Sequence, residues 1–99
     1  MTMKLGDVCI IKSNFPDADF WLQRKGSEET IGKPLKNFYE ENIGVKVKEQ
    51  YLDKIDPGFI YYYFLYLYQK GVFKPISHGS LGLKNITVGD IKSIPLNFK

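Results

Sequence analysis

The order of apolar and polar residues predicts four strands in the first half of the chain. The clearest is 42–48, where apolar residues alternate with glycine or lysine, a period of two that is typical of a half-buried strand. The β-branched run 8–11 predicts a buried strand, and the segment 18–25 predicts another. A short edge strand is expected at 31–34, because Pro34 has no N–H to donate to a neighbouring strand.

A single long helix is expected over about residues 57–70. Five tyrosines and two phenylalanines lie within 59–68. Aromatic residues favour strands, but Asp56 suits an N-cap, Pro57 suits the first turn, and Lys70 followed by glycine suits a helix end. No charged side chain interrupts the helix before Lys70, so we expect it to be packed on more than one side.

The tyrosines of this helix allow two interpretations. Their rings can fill the core while their hydroxyl groups reach a partner atom or water at its margin. Alternatively, one face of the helix packs against another subunit or a larger partner. The first interpretation makes the aromatic cluster purely structural, whereas the second makes it an interface.

The last third of the chain predicts shorter elements. A glycine-rich loop is expected at 77–82, and the chain is expected to re-enter the core at 83–86. Thr87 suits an N-cap and Asp90 lies three residues later, which is the spacing of a capping box. A short helical turn is therefore expected at 88–91.

Length and composition indicate one globular domain covering residues 1–99. The chain is 43% hydrophobic and 25% charged, which is ordinary for such a domain. Cys9 is the only cysteine and His78 the only histidine, so disulfide scaffolds and Cys/His metal centres are excluded, and no cofactor is expected. The amino-terminal segment lacks the apolar core of a signal peptide, and no run approaches the roughly 20 apolar residues that span a bilayer. We therefore expect a cytoplasmic protein without a membrane segment.

The net charge of +3 is unevenly distributed along the chain. Residues 1–42 carry six basic and seven acidic residues, whereas residues 43–99 carry eight basic and four acidic ones. Arg24 is the only arginine, so it alone could bind a guanine or a phosphate through two parallel hydrogen bonds, with lysines acting as point charges. This balance is compatible with a nucleic-acid partner and also with an ordinary solvated surface.

One combination of side chains has the composition of a catalytic triad. His78 and Ser80, together with Asp90 or Asp7, would supply a base, a nucleophile and an orienting carboxylate. Ser80 does not lie in the G-x-S-x-G turn that exposes such a nucleophile, and the loop 79–82 lacks the lysine of a phosphate-binding loop. We therefore expect no enzymatic activity.

Four motifs occur in an order that resembles the target recognition domain of type I restriction-modification specificity subunits. They are Leu5-Gly6-Asp7-Val8 at the start, the run 55–63 that opens the helix, the pair Gly79-Ser80, and the run 85–96 with its Asp-Ile and Ile-Pro-Leu steps. In that family an L-G-D opening leads into the first strand, a proline-aromatic stretch begins a helix, and a G-S loop follows it. This chain holds one such unit without a spacer helix, and it is similar to compact, standalone relatives carried by phages and mobile elements.

The resemblance and the predicted elements together imply an α+β fold. We expect a small, strongly curved or barrel-like mixed β-sheet, packed with one main aromatic-rich helix at 57–70 and a short helical turn at 88–91. The resemblance also implies a non-catalytic module that binds duplex DNA through a basic face and loops, with lysines at phosphates and Gln23 and Arg24 at base edges. The predicted DNA-binding residues are Gln23, Arg24, Lys25, Lys46, Lys48, His78, Ser80 and Lys84.

A second hypothesis is a protein-interaction or virion-associated structural subunit that keeps this scaffold without recognising DNA. Its partner would be a methyltransferase subunit, a phage protein, or a second copy bound through the tyrosine-rich helix. Binding to DNA across salt concentrations, together with light scattering, distinguishes the two hypotheses.

Overall fold

A computed structural model describes residues 3–80 and 82–96 of the chain. The described part contains nine strands, four α-helices and a 3-10 helix at Glu49–Tyr51. The strands are β1 (Met3–Lys4), β2 (Cys9–Ser13), β3 (Phe20–Leu22), β4 (Lys25–Gly26), β5 (Pro34–Leu35), β6 (Ile43–Val47), β7 (His78–Ser80), β8 (Leu83–Asn85) and β9 (Pro95–Leu96). The helices are α1 (Leu5–Val8), α2 (Pro57–Gln69), α3 (Phe73–Ile76) and α4 (Val88–Lys92).

The largest sheet has four antiparallel strands in the order β2-β6-β3-β5. Strand β6 lies between β2 and β3 in this sheet. Its apolar residues Ile43, Val45 and Val47 are each at most 1% exposed. It pairs with β2 from Cys9 opposite Val47 to Ser13 opposite Ile43. The predicted alternating strand is therefore confirmed, and the sheet is built around it.

Helix α2 packs against this sheet through a line of buried residues. Ile60, Phe64 and Leu67 are spaced by four and three residues, which places them on one side of the helix, and each is at most 6% exposed. Phe64 meets Phe20 of β3 with ring centroids 5.5 Å apart in an edge-to-face arrangement, which contributes about 1 kcal/mol beyond burial. Phe73 of α3 stacks on Phe64 at 6.5 Å. The helix thus joins the sheet and α3 in one core.

The ends of α2 are set by the residues that the sequence predicts. The Asp56 carboxylate accepts a hydrogen bond from the Phe59 N–H at 3.3 Å, and Pro57 occupies the first turn. The helix ends at Gln69, and Gly71 follows with a φ of 76°, a left-handed conformation that glycine adopts without strain. The prediction of this helix is therefore confirmed.

Two tyrosines of α2 anchor distant segments at the margin of the core. The Tyr63 hydroxyl donates a hydrogen bond to the Pro95 carbonyl at 3.0 Å, and the Tyr68 hydroxyl donates one to the Glu29 carbonyl at 2.5 Å. Both rings pack against the core while both hydroxyl groups reach its edge. The structural interpretation of the aromatic cluster is confirmed for these two residues.

Two smaller sheets complete the fold. Strands β4, β8 and β7 form a three-stranded antiparallel sheet with β8 in the middle, and β1 pairs with β9 so that Met3 lies opposite Leu96.

Helix α4 begins with the predicted capping box. The Thr87 hydroxyl accepts the Asp90 N–H at 3.1 Å, and the Asp90 carboxylate accepts the Thr87 N–H at 3.3 Å. The predicted helical turn is therefore confirmed, as α4.

The predicted α+β class is confirmed, whereas the prediction of a single mixed sheet is wrong. Every strand pairing in the described residues is antiparallel, and the strands form three separate sheets. Most of these strands have only two or three residues. Their hydrogen-bonded ladders end before one sheet can join the next, and the described strands do not close into a barrel.

Three of the predicted strands have other bounds, and the segment 18–25, expected as one strand, is divided between β3 and β4, which belong to different sheets. Val8 belongs to α1, because the Asp7 carboxylate accepts a hydrogen bond from the Lys4 N–H at 2.8 Å and stabilises a helical turn there. The expected edge strand at 31–34 is replaced by a turn in which Gly32 has a φ of 80°. Only the proline of that run enters β5, which is an edge strand as expected.

Two surfaces also differ from the expectations. Leu83 is 76% exposed rather than part of the core, because it lies beside the tip of the β7–β8 hairpin. One face of α2 is exposed at Phe59, Tyr62 and Tyr66, and Gly58 and Gln69 near its ends are exposed too, whereas the remaining residues of the helix are at least partly covered as expected. Across residues 3–80 and 82–96, no helix has both the length and the apolar character needed to cross a membrane.

Candidate nucleic-acid interface

The three-stranded sheet brings together five of the eight residues predicted to bind DNA. Lys25 lies in β4, Lys84 in β8, and His78 and Ser80 in β7. Arg24 directly precedes β4, and its carbonyl oxygen accepts a hydrogen bond at 3.0 Å from the N–H of the residue after β8. These residues come from two distant regions of the chain, which the antiparallel pairing of β4 with β8 makes neighbours.

The side chains of this sheet divide between its two faces. Lys25 is opposite Asn85, and Asn85 is opposite His78, so these three side chains share one face. Ser80 lies two residues beyond His78 and shares that face. Lys84 lies on the other face, opposite a glycine on each neighbouring strand. The sheet therefore carries a lysine on each face.

The β7–β8 hairpin is exposed at its tip and along β7. Gly79 has a φ of 107°, and a side chain there would collide with the backbone carbonyl of Leu83. The Lys84 ammonium group donates a hydrogen bond to the Gly79 carbonyl at 3.0 Å. The hairpin therefore presents an apolar side chain, Leu83, on one face and a cation, Lys84, on the other.

His78 is tied to helix α4 through the Asp90 carboxylate. Its Nε2 lies 2.8 Å from Asp90 Oδ2, and the same oxygen accepts the Thr87 N–H of the capping box. Hydrogen bonding with Thr87, and then the contact with His78, hold the pKa of Asp90 below its ordinary value despite opposing desolvation. One carboxylate oxygen thus joins the base of the hairpin to the start of α4.

The combination that resembled a catalytic triad is only partly assembled. His78 and Asp90 are in contact, as a base and its orienting carboxylate would be. Among the described residues, Ser80 makes no hydrogen bond to His78.

Cys9 is buried, which raises the pKa of its thiol to about 12. The described part of the chain holds no group of three or more His, Cys, Asp or Glu that could bind a metal ion.

Three cations at this sheet are not neutralised by carboxylates. In the described part of the chain, the charged nitrogens of Arg24, Lys25 and Lys84 have no carboxylate oxygen within 4.0 Å. His78 differs, because Asp90 lies beside it. The sheet therefore has positive charge available on both faces for an anionic partner.

The other three predicted residues are engaged or lie elsewhere. Lys46 lies in β6 of the four-stranded sheet and forms an ion pair with Asp19 at 3.7 Å, and Lys48 directly follows that strand. Gln23 donates a hydrogen bond from Nε2 to the Lys25 carbonyl at 2.9 Å, so it braces the chain as it enters β4. The predicted residues therefore do not form one surface.

Two asparagines that sequence patterns do not single out support the site. Asn42 is 8% exposed, and its Oδ1 accepts a hydrogen bond from the Arg24 N–H at 3.3 Å. Asn85 donates from Nδ2 to the His78 carbonyl at 3.4 Å. Each asparagine is seven or more residues from its partner along the chain, so no local motif could indicate either contact.

The function of this site has to be inferred from its geometry and charge. Comparison with models of known protein families finds no match to the chain, and comparisons with curated proteins and with solved structures find none either.

Proposed function

We propose that this chain is a non-catalytic DNA-binding module whose three-stranded sheet β4-β8-β7 makes the main contact with duplex DNA. The observation that carries the proposal is the charge of that sheet. Lys25 and Lys84 lie on opposite faces, Arg24 lies beside them, and none has a carboxylate within 4.0 Å in the described residues. Phosphate contacts supply much of the affinity of DNA-binding proteins, and such cations suit them.

The shape of the hairpin is also suited to a groove of DNA. The major groove of B-DNA admits a two-stranded β-ribbon. With the β7–β8 hairpin in that position and β4 beside it, the two faces of the sheet would look toward different phosphate backbones, so Lys25 of β4 and Lys84 of β8 would contact different strands. Arg24 would bind a guanine through two hydrogen bonds, while His78 and Ser80 on the exposed edge strand would contact sugar or phosphate oxygens.

The resemblance to type I target recognition domains supports the same function. The Gly79-Ser80 pair of that pattern lies in β7, and its Asp90-Ile91 step lies in α4, which contacts the hairpin through His78. We also propose that the sheets have a barrel-like curvature and that the neighbouring molecule is a methyltransferase subunit or a phage protein in the cytoplasm.

Fluorescence anisotropy with a labelled duplex, repeated across salt concentrations, tests the proposal. We expect binding at low salt with a log–log slope of about −2, because Lys25 and Lys84 would neutralise two phosphates and each neutralised phosphate contributes about 0.9 to the slope. Lys25→Gln and Lys84→Gln are each expected to weaken binding to all sequences and to reduce the slope by about one. Arg24→Gln is expected to weaken binding and to relax any sequence preference.

Lys54→Gln is the matched control, because Lys54 is exposed, forms no ion pair in the described residues and lies outside the sheet. Lys46→Gln is a second comparison, and we expect a smaller effect because Asp19 already neutralises Lys46. The proposal is wrong if the chain does not bind DNA at low salt, or if Lys54→Gln and Lys25→Gln weaken binding equally.

The second candidate function is that of a protein-interaction subunit. The observation that favours it is the exposed aromatic side of α2, where Phe59, Tyr62 and Tyr66 are 45%, 67% and 53% exposed. Size-exclusion chromatography with light scattering measures self-association directly. A stable oligomer that does not bind DNA would favour this candidate over the first.

A further inference from the structure

An exposed line of rings runs along helix α2, on the side away from its buried residues. It consists of Phe59, Tyr62 and Tyr66, and we call it the aromatic face. Spacings of three and four residues keep the three rings on one side of the helix over about 10 Å. Contiguous exposed apolar surface of this kind marks interaction sites more often than scattered apolar residues do.

Neighbouring rings hold the aromatic face in position. Phe59 stacks on Tyr63, with centroids 6.4 Å apart and planes inclined by 19°. Tyr62 packs edge-on against Tyr61 at 5.4 Å. Because Tyr61 and Tyr63 pack against the core, a partner that bound this face would order few additional side chains, which lowers the cost of association.

Two lysines flank the aromatic face, one near each end of α2. Lys36 Nζ lies 5.2 Å from the centroid of the Tyr61 ring, and Lys70 Nζ lies 5.8 Å from that of Tyr66. Neither lysine has a carboxylate within 4.0 Å among the described residues. The Asp19 carboxylate, in the same hollow as Lys36, is already paired with another lysine at 3.7 Å. Each flank of the face therefore carries a lysine, and the Asp56 carboxylate at the N-cap of α2 is the nearest acidic group on that helix.

We infer that the aromatic face binds an amphipathic helix of another protein, with apolar side chains against its rings and carboxylates opposite Lys36 and Lys70. A second copy of this chain is a poor occupant, because two-fold packing of α2 on itself would bring lysines against lysines. Single-stranded nucleic acid is also disfavoured, because bases stack on open ring faces. Here the Tyr62 ring stands at 84° to that of Tyr61, and the Lys70 ammonium lies over Tyr66.

This interface goes beyond the proposed contact with DNA, and it specifies a partner for the second candidate function, which rests on the same exposed rings. None of its residues belongs to the β4-β8-β7 sheet. The aromatic face and the sheet can therefore be tested by different substitutions, and failure of one proposal leaves the other unaffected.

Two synthetic helical peptides test the inference on the full 99-residue chain. Both have the same leucine face, but one is flanked by glutamates and the other by lysines at the same positions. Titration is followed by the backbone amide NMR signals of the ¹⁵N-labelled chain. We expect the glutamate peptide to shift the signals of the aromatic face, and the lysine peptide to bind roughly tenfold more weakly.

Substitutions in and beside the face separate the apolar contribution of the rings to peptide binding from the electrostatic contribution of the lysines. Tyr62→Ser and Tyr66→Ser are each expected to weaken binding of the glutamate peptide about tenfold. Lys36→Glu and Lys70→Glu are each expected to weaken it about two- to fivefold and to strengthen binding of the lysine peptide. Tyr39→Ser is the matched control, because Tyr39 is 59% exposed but lies outside the face.

The inference is overturned if the glutamate peptide does not bind, if the two peptides bind equally, or if Tyr39→Ser weakens binding as much as Tyr62→Ser does. It is also overturned if light scattering shows a dimer that Tyr62→Ser converts to a monomer, since a second copy would then occupy the face. Binding of a single-stranded oligonucleotide that Tyr62→Ser abolishes would assign the face to nucleic acid instead.

Discussion

At the scale of single residues, Gly32 is a position where one added methyl group would be costly. Its φ is 80°, and a Cβ there would overlap the ring of the buried Phe73. We expect Gly32→Ala to lower the free energy of unfolding by about 3 kcal/mol or more, because left-handed strain and overpacking act together. Denaturant unfolding followed by circular dichroism measures this change.

Gly71→Ala is the matched control for that substitution. Gly71 has a similar φ of 76°, but the nearest atom that a Cβ would meet is 3.9 Å away. We expect it to cost only about 1 kcal/mol, from backbone strain alone. If Gly32→Ala and Gly71→Ala lower the free energy of unfolding equally, contact with Phe73 is not the reason that position 32 requires glycine.

Residue-level predictions from the sequence succeed where both partners are close along the chain. Asp56 at the start of α2 and the Thr87–Asp90 capping box each join residues three positions apart, so a local pattern reveals them. The contact of His78 with Asp90 spans 12 positions, and the ion pair of Lys46 with Asp19 depends on the packing of the four-stranded sheet. Such contacts are set by tertiary structure, which local patterns do not contain.

At the scale of elements, the hairpin and α4 share the Asp90 carboxylate. Because hydrogen bonding with Thr87 and contact with His78 lower the pKa of Asp90, the ionised carboxylate stabilises the folded state above its unfolded pKa of about 4. That contribution is lost as the pH falls through the lower folded pKa. We expect Asp90→Asn to reduce the free energy of unfolding at pH 7 by about 1 kcal/mol or less.

Denaturant unfolding at pH 7 and at successively lower pH measures this effect, and the difference between Asp90→Asn and the unsubstituted chain should shrink below about pH 4. Asp17→Asn is the control, since Asp17 is exposed and makes no ion pair in the described residues. A difference that stays constant as the pH falls would contradict an electrostatic role for Asp90.

The elements themselves were predictable to different degrees. Helix α2 has clear end signals, so its bounds follow from the sequence. Its exposed side does not, because aromatic residues surround the helix and leave no polar stripe to mark the face that meets solvent. Strands of two residues, such as β4 and β5, are too short to show an alternating pattern, and their pairing with distant segments alone defines them.

At the scale of the whole molecule, one hydrophobic cluster joins the elements. It extends from Leu5 in α1 through Phe20 in β3 and Phe64 in α2 to Leu96 in β9. We therefore expect the chain to unfold in a single cooperative transition. Trp21, the only tryptophan, is 8% exposed and reports on the four-stranded sheet, whereas far-UV circular dichroism reports on all elements.

Coincident midpoints of tryptophan fluorescence and circular dichroism during denaturant unfolding would support one cooperative unit. Two separated midpoints would contradict it and would indicate that the β4-β8-β7 sheet unfolds on its own. The α+β class follows from composition and periodicity. The division into three sheets does not, because it depends on pairings such as Lys25 with Asn85 between remote parts of the chain.

The pairing of β1 with β9 determines how this fold can be connected to other polypeptides. Met3 and Leu96 lie opposite each other, on neighbouring strands about 5 Å apart. The first and last residues that the structure describes are therefore neighbours in the fold. We therefore expect residues 3–96 to tolerate insertion into a surface loop of a host protein, because the two junctions would lie on neighbouring strands.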